Sequence, residues 1–370
     1  MRSKITYLNT ILCFVFLLGL SSCKEIGKQE ETASESGEQI LLQDVTGRDI
    51  KLDGIPERIV VIGKGTYMPI HLMIMFPEAV DTIVAVESKT DNISTFLEIL
   101  HPNFDAIMIE WNAGPEQIAA YAPDLVIAKG YTETDVAKSL SLLDIPVVYL
   151  GMETPQQYEK DIRLLGKIFA NGDRAEEIVD FYETKLGYIE DKVSELKDSE
   201  KPEVLVLEYN NRAGDIAVNV PPEEWIQTQE VKMAGGNPIW VPDLKTGSGW
   251  QITNFEQIAL WDAKQIFLIV SFPMDPEEVF EELKNDSQWE KLQAVRDEQL
   301  YVFPTDLNEW DNPDPRWLLG TTWLAKRMHP DLFQDLDMKT EIIEYFSTLY
   351  GMDKASIEST IFPEIKVEFE

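Results

Sequence analysis

Short unbroken apolar runs alternate with amphipathic segments along most of the chain. "RIVVIG" (58–63), "TIVAV" (82–86), "AIMI" (106–109), "DLVIA" (124–128) and "PVVYL" (146–150) have strand length. Between and after them lie "PIHLMIMF" (69–76), "NISTFLEIL" (92–100), "PEQIAAY" (115–121), "DVAKSLSLL" (135–143) and "PQQYEKDIRLLGKIFA" (155–170), which read as helices. A strand written as a continuous apolar run is buried on both faces. The alternation therefore predicts a mostly parallel sheet covered by helices. Ahead of it, "ILLQDVTGRDIKL" (40–52) reads as two short strands around a turn at Thr46-Gly47.

The period then changes. Ile178, Tyr182, Leu186, Ile189, Val193 and Leu196 recur at intervals of four and three, one stripe of a helix from Asp173 to Leu196. At 1.5 Å per residue it runs about 36 Å, the width of a domain. "KDSEKP" (197–202) ends it, and a second α/β series follows. "EVLVLEY" (203–209), "QIFLIV" (265–270) and "LYVF" (300–303) read as strands. "EEWIQTQEVKMAG" (223–235), "NFEQIALW" (254–261), "PEEVFEELK" (276–284), "PRWLLGTTWLAKRM" (315–328) and "EIIEYFSTLYG" (341–351) read as helices. The expected fold is α/β: two Rossmann-like lobes with central mostly parallel sheets joined by one long α-helix. The first lobe spans 40–170, the connecting helix 171–198 and the second lobe 199–370. One phrase is written in both lobes, "EQIAAYA" (116–122) and "EQIALWD" (256–262), each followed by an apolar strand. That places it at a corresponding corner of each.

The first residues stand apart. Arg2 and Lys4 precede an apolar run, "ILCFVFLLGL" (11–20), and then "LSSC". The run is short for a membrane span and suits an export signal, residues 1–22. Cys23 stands where a lipobox places the lipidated first residue, and 23–39 is a polar tether. Cys13 and Cys23 are the only cysteines, so the mature chain has neither a disulfide nor a cysteine nucleophile. A net charge of −34 argues against a nucleic-acid partner, because binding phosphates needs a basic surface. Three histidines, two of them in or at the end of helices, do not make a metal site, and no cofactor is implied. No GxSxG, phosphate loop or Ser-His-Asp set is present, so an enzyme is not expected. For a surface glycan hydrolase, acidic pairs such as Asp306 with Glu309, or Glu309 with Asp311, could serve as acid and base, but such closeness is ordinary in so acidic a chain. A sensor lipoprotein on the same fold is the other alternative.

With a lipobox, "DVTGRDIKL", "PERIVVIG", "PEQIAAYAPDLVIAKG", a long middle helix and "NPDPRWLLGTTWLAKRMHPDLF" in this order, the chain resembles the class III substrate-binding proteins of ABC importers. That family carries iron-siderophores, haem, vitamin B12 and, in some members, molybdate or tungstate. The resemblance implies a monomer that does no chemistry. It captures a small molecule between two lobes and delivers it to a permease driven by its ATPase, while held to a membrane only by its lipid. It also implies that one Glu per lobe pairs with permease arginines; by motif these are Glu116 and Glu256. "TNFE" (253–256) is in addition a capping box that would occupy Glu256 locally.

Ligand contacts are expected on the loops after strands. In the first lobe these are Lys64, Thr66, Tyr67, Trp111, Asn112 and Tyr131; in the second, Arg212, Trp250, Gln251 and Trp310. Trp111 and Trp250 stand five and six residues ahead of Glu116 and Glu256. Aromatic walls suit a large chelate better than a bare ion. The resemblance puts an iron chelate first, as that family's commonest cargo; the three tryptophans Trp111, Trp250 and Trp310 put a corrinoid next, and Lys64 and Arg212 an oxyanion third.

Overall fold

The computed structural model describes residues 39–88, 92–102, 104–130, 135–212, 215–247, 249–270 and 274–369. An antiparallel hairpin opens the chain, β1 (Ile40–Gln43) with β2 (Asp49–Leu52). Asp44 organises its turn. Its carboxylate accepts from Thr46 N, Arg48 N and, across 105 residues, Tyr149 N.

The first lobe is a parallel sheet of β3 (Ile59–Ile62), β4 (Ile83–Ser88), β5 (Ile107–Glu110), β6 (Leu125–Lys129) and β7 (Val147–Leu150), ordered β5-β4-β3-β6-β7. Every residue of β3, β6 and β7 is buried, as continuous apolar runs require. The second lobe centres on β8 (Glu203–Arg212), flanked by β9 (Asp215–Val220), β10 (Asn237–Pro238) and β11 (Gln251–Thr253) on one side. β12 (Gln265–Val270) and β13 (Leu300–Val302) continue the sheet on the other. Strands β8, β12 and β13 are parallel; β9 runs antiparallel to β8, and β11 to β9. The second sheet is thus mixed at the edge where the sequence pattern gave no strand.

The connecting helix is Gly172–Val193, started by Asn171, whose side chain accepts from Arg174 N. It crosses helix Pro155–Ile168 at Gly166, where an added Cβ would stand 2.5 Å from the Ala175 Cβ. Both lobes belong to one contact unit, Gly37–Glu370, and the helix is not their only link. The segment "NPDPR" (312–316) of the second lobe is clamped by the first lobe and the long helix. Tyr158 Oη donates to Pro313 O and Tyr182 Oη to Pro315 O, both at 2.8 Å. Helix Met338–Tyr350 leans on the first lobe through Phe346 and Tyr350 against Phe96.

Candidate functional site

The repeated phrase does form the same corner twice. In helix Pro115–Ala119, Gly114 is the N-cap; in helix Phe255–Trp261, Asn254 is. Glu116 and Glu256 are then both second in their helices, and both are exposed. Ile118 and Ile258 each point into the core at 1% exposure. The seventh residue of each phrase, Ala122 and Asp262, takes a left-handed backbone (φ 48° and 43°) that turns the chain into the next strand. Those strands, β6 and β12, pair in parallel with the first strand of their lobes, β3 and β8. The expected capping box at Thr253 is not formed. Thr253 is committed to β11 by pairing with Val218, so the cap passes to Asn254, whose Oδ1 accepts from Gln257 N at 2.9 Å. Glu256 is left pointing outward, like Glu116.

In the first lobe one buried carboxylate shapes the loops at the carboxyl ends of the strands. Glu87, at the end of β4, accepts from Gly63 N (2.6 Å) and Ala113 N (3.0 Å), and its main-chain oxygen accepts from Thr66 Oγ1 (2.8 Å). Thr66 is buried and its hydroxyl serves this turn. Lys64 is exposed, Tyr67 half-buried, Trp111 half-buried and Asn112 exposed at φ 62°. Tyr131 lies outside the described residues. Asp161 plays the part of Glu87 for β7: its Oδ2 accepts from Gly151 N and Met152 N at 2.8 and 2.9 Å. Burial, against those bonds, pushes its carboxyl up to about 7. Lys129 is buried beside it, paired with Glu153 at 2.5 Å; burial pulls its pKa below the usual lysine value.

In the second lobe Trp250 is half-buried and meets Trp225 edge to face at 5.7 Å. Gln251 exchanges two hydrogen bonds with the Lys245 backbone, 2.8 and 2.9 Å, and closes that loop. Arg212 ends β8, paired with Asp215 across the hairpin. Trp310 is fully buried, with Nε1 donating to Asp306 at 3.2 Å, and in this conformation presents no surface to a ligand. Its Pro/Asn/Asp surroundings in the sequence suggested a loop tip, but they fold inward beneath helix Trp317–Met328.

The lobes meet at a buried charge network. Arg316, fully buried, donates to Asp306 Oδ1 (2.8 Å) and Asp314 Oδ1 (3.0 Å), and its guanidinium lies 4.3 Å from the Phe96 ring. His71 of the first lobe bonds Asp314 through Nδ1. Burial holds His71 below the usual histidine pKa, with Asp314 opposing. Burial would raise Asp314, but His71 and Arg316 hold it below the carboxylate range. Asp306 also accepts from Asn308 N, so it is tied up by its neighbours and is no free catalytic acid. Beside this network Asn312 bonds both Tyr67 Oη of the first lobe (3.2 Å) and Glu309. That contact brings a first-lobe candidate, Tyr67, against second-lobe residues that the sequence did not mark as binding. A polar, solvent-open hollow of about 560 Å³ lies at the other edge, by Glu203, Gln265 and Gln299 at the amino ends of the strands, away from these loops. Among the described residues no group of three or more His, Cys, Asp or Glu is placed to hold a metal.

Residues 79–307 match the sequence profile of the periplasmic binding protein family. The chain belongs to that family. It is a class III member, the substrate-binding protein of an ABC transporter, and so extracytoplasmic. The molybdate-binding protein MolA of Haemophilus influenzae is 23% identical over 254 residues, 64% of this chain and 69% of MolA. Its molybdate-bound crystal structure superposes with a TM-score of 0.69 at 19% identity, covering 85% of this chain and 98% of that one. A periplasmic solute binding protein from Veillonella parvula gives 0.70 at 23% identity (89% and 98% covered). CeuE of Helicobacter pylori, in a nickel–histidine complex, gives 0.68 at 16% identity (88% and 99% covered). The two-lobed α/β fold with one long helix is that of these periplasmic binding proteins. Cys23 and residues 1–22, where a lipidation site and an export signal are expected, lie outside the described residues. Among the described residues no helix is long and apolar enough to cross a membrane.

Proposed function

We propose that this periplasmic binding protein is lipid-anchored at Cys23 and captures a metal chelate of the iron-siderophore or haem type. The bound chelate lies between its lobes, and Glu116 and Glu256 present it to the permease. The chelate reading rests on Trp111 and Trp250, half-buried indoles on the run-in to the same corner of each lobe. They offer flat apolar area at two separated points, more than a bare ion can use. The docking reading rests on two outward carboxylates at equivalent positions of equivalent helices. They form a two-point electrostatic latch for a basic partner surface.

The test is titration of the mature protein, with tryptophan fluorescence and calorimetry, against ferric siderophores, haem, corrinoids, molybdate and tungstate. A saturable response to a chelate supports the reading; a response to molybdate or tungstate alone replaces it with oxyanion capture. Likeness to MolA, together with the exposed Lys64, favours that second reading. For docking, Glu116→Ala and Glu256→Ala together should abolish uptake while ligand affinity stays within twofold of the parent. Unchanged uptake would remove the latch.

A further inference from the structure

One cavity of the second lobe is lined by no residue of the boundary network or of the expected ligand set. It is a solvent-open hollow of about 210 Å³, bounded by β8, β9, helix Phe255–Trp261 and the end of helix Pro276–Lys284. Its walls are aromatic: Tyr209, Phe255 and Trp289, the last two with ring centroids 6.2 Å apart. Its rim is acidic: Glu282, exposed, and Asp286, half-buried. Among the described residues no Lys or Arg lines it.

The two carboxylates stand four residues apart in sequence, at and just past the end of one helix, and among the described residues neither makes an ion pair. Like charges at that spacing repel. Asp286 is held in place, because its Oδ1 accepts from Gln288 N (2.8 Å) and Trp289 N (3.0 Å), the turn that brings Trp289 to the wall. Tyr209 gives a separate sign of a guest. It is 4% exposed and lines the hollow, yet among the described residues its hydroxyl has no hydrogen bond. Burial, with Glu282 and Asp286 adding to it, raises its pKa, so it stands there as a neutral hydroxyl. Aromatic faces beside carboxylates that lack a counter-ion attract a cation, and a delocalised, weakly hydrated one most. The hollow is smaller than the roughly 300–1,000 Å³ of pockets that enclose a drug-sized ligand, so it fits one side chain and not a whole cargo.

We propose that this hollow is a socket for one arginine side chain of the permease, its guanidinium stacked on the aromatic wall and bonded to Glu282 and Asp286. The proposal rests on the reading that this corner docks on a permease, and adds a second contact to it. Phe255 and Ile258, which line the hollow, belong to the helix that presents Glu256. Phe255 is the residue before Glu256, about 100° around that helix. A basic surface that meets Glu256 therefore reaches the hollow in the same encounter. Arginine fits better than lysine, because a planar guanidinium both stacks on rings and forks between carboxylates. The first lobe has no such socket at the matching place: Pro115 precedes Glu116 where Phe255 precedes Glu256. The two lobes thus hold the partner unequally, the second more firmly than the first.

The experiment follows the Trp289 indole N–H of the mature protein by NMR, assigned with Trp289→Phe, as N-acetyl-arginine amide or its neutral citrulline counterpart is added. The arginine probe should shift the signal saturably and bind at least tenfold more tightly than the citrulline probe. Glu282→Gln with Asp286→Asn should weaken that binding at least tenfold; asparagine keeps the oxygen that accepts from Gln288 N and Trp289 N. The probe pair on the unaltered protein decides the matter even where the variant folds poorly: no saturable shift, or an equal one with citrulline, overturns the proposal. The source of the arginine is tested in the host, with a photo-cross-linker in place of Gln288, exposed on the rim. The adduct, read by mass spectrometry, should be an arginine-bearing segment of a transporter permease, and should be lost in the double variant. An arginine probe that binds while no permease is cross-linked overturns the socket as a docking site. If Glu116→Ala with Glu256→Ala leaves the permease adduct and uptake unchanged while Glu282→Gln with Asp286→Asn removes the adduct, the two-point latch falls and the socket stands.

Discussion

Arg316→Met tests whether the buried network fixes the two lobes. Arg316 is fully enclosed, bonded to Asp306 at 2.8 Å and Asp314 at 3.0 Å, and stacked on Phe96 at 4.3 Å. Methionine keeps much of the volume and the aromatic contact, so what is lost is the charge and its two donors. Asp314 retains His71 and the main-chain N–H of residue 316, and Asp306 retains Trp310 Nε1 and Asn308 N. Breaking one side of a buried pair costs about 3–5 kcal/mol. The surviving partners place this case near the lower end, about 3 kcal/mol at pH 7.5. The assay is urea unfolding followed by circular dichroism, with the slope checked for constancy. Adding Asp306→Asn and Asp314→Asn should recover most of the loss, since a neutral network carries no stranded charge. The pH trend has a definite sign. Asp314 is held below its usual pKa, so its stabilisation is present above about pH 4 and is lost as pH falls through the folded value. The deficit of Arg316→Met should therefore narrow toward acid. A loss under about 1 kcal/mol, or no recovery in the triple variant, would refute the reasoning.

Two further outcomes are expected. Asp161 has its carboxyl raised to about 7, so the wild-type fold loses stability as pH rises from about 4 through 7. Asp161→Asn keeps one oxygen for both Gly151 N and Met152 N, so it should flatten that slope and equal or exceed the wild type at pH 8 in urea melts; strong destabilisation at both pH 5.5 and pH 8 would count against it. At the repeated corner, Asn254→Ala should cost about 1 kcal/mol and Thr253→Ala clearly less. The reverse order, measured by thermal unfolding, would restore the capping box to Thr253.

What the sequence disclosed and what it hid follow from how each feature is encoded. Strands β3, β6 and β12 are buried on both faces, so they are written as unbroken apolar runs. The long helix needs one stripe over six turns, and a stripe that long has few competing readings. The antiparallel pairing of β9 with β11 was invisible for the opposite reason. β11 has three residues, and its central Ile252 is 83% exposed, so no burial pattern marks it. Its pairing nevertheless moved the helix cap from Thr253 to Asn254. Glu87 and Asp161 were missed because an acid at a strand end or in a helix reads as solvated; their partners are backbone N–H groups of loops 9 to 26 residues away. Trp310 shows the converse: its polar neighbours Asp306, Asp314 and Arg316 neutralise one another inside the protein instead of facing water.

That network bears on the mechanics as well. A single long helix between lobes leaves room for hinge motion at its two ends. Here the 312–316 segment adds a second tie, held by Tyr158, Tyr182 and His71 from the other side of the boundary. Large rigid-body opening would have to break buried hydrogen bonds and expose Arg316, Asp314 and His71 together, a cost of several kcal/mol. On the proposed reading of a ligand held between the lobes, entry and release would fall to the loops that Glu87 and Asp161 hold and to the side chains at the boundary, Tyr67, Asn312 and Glu309.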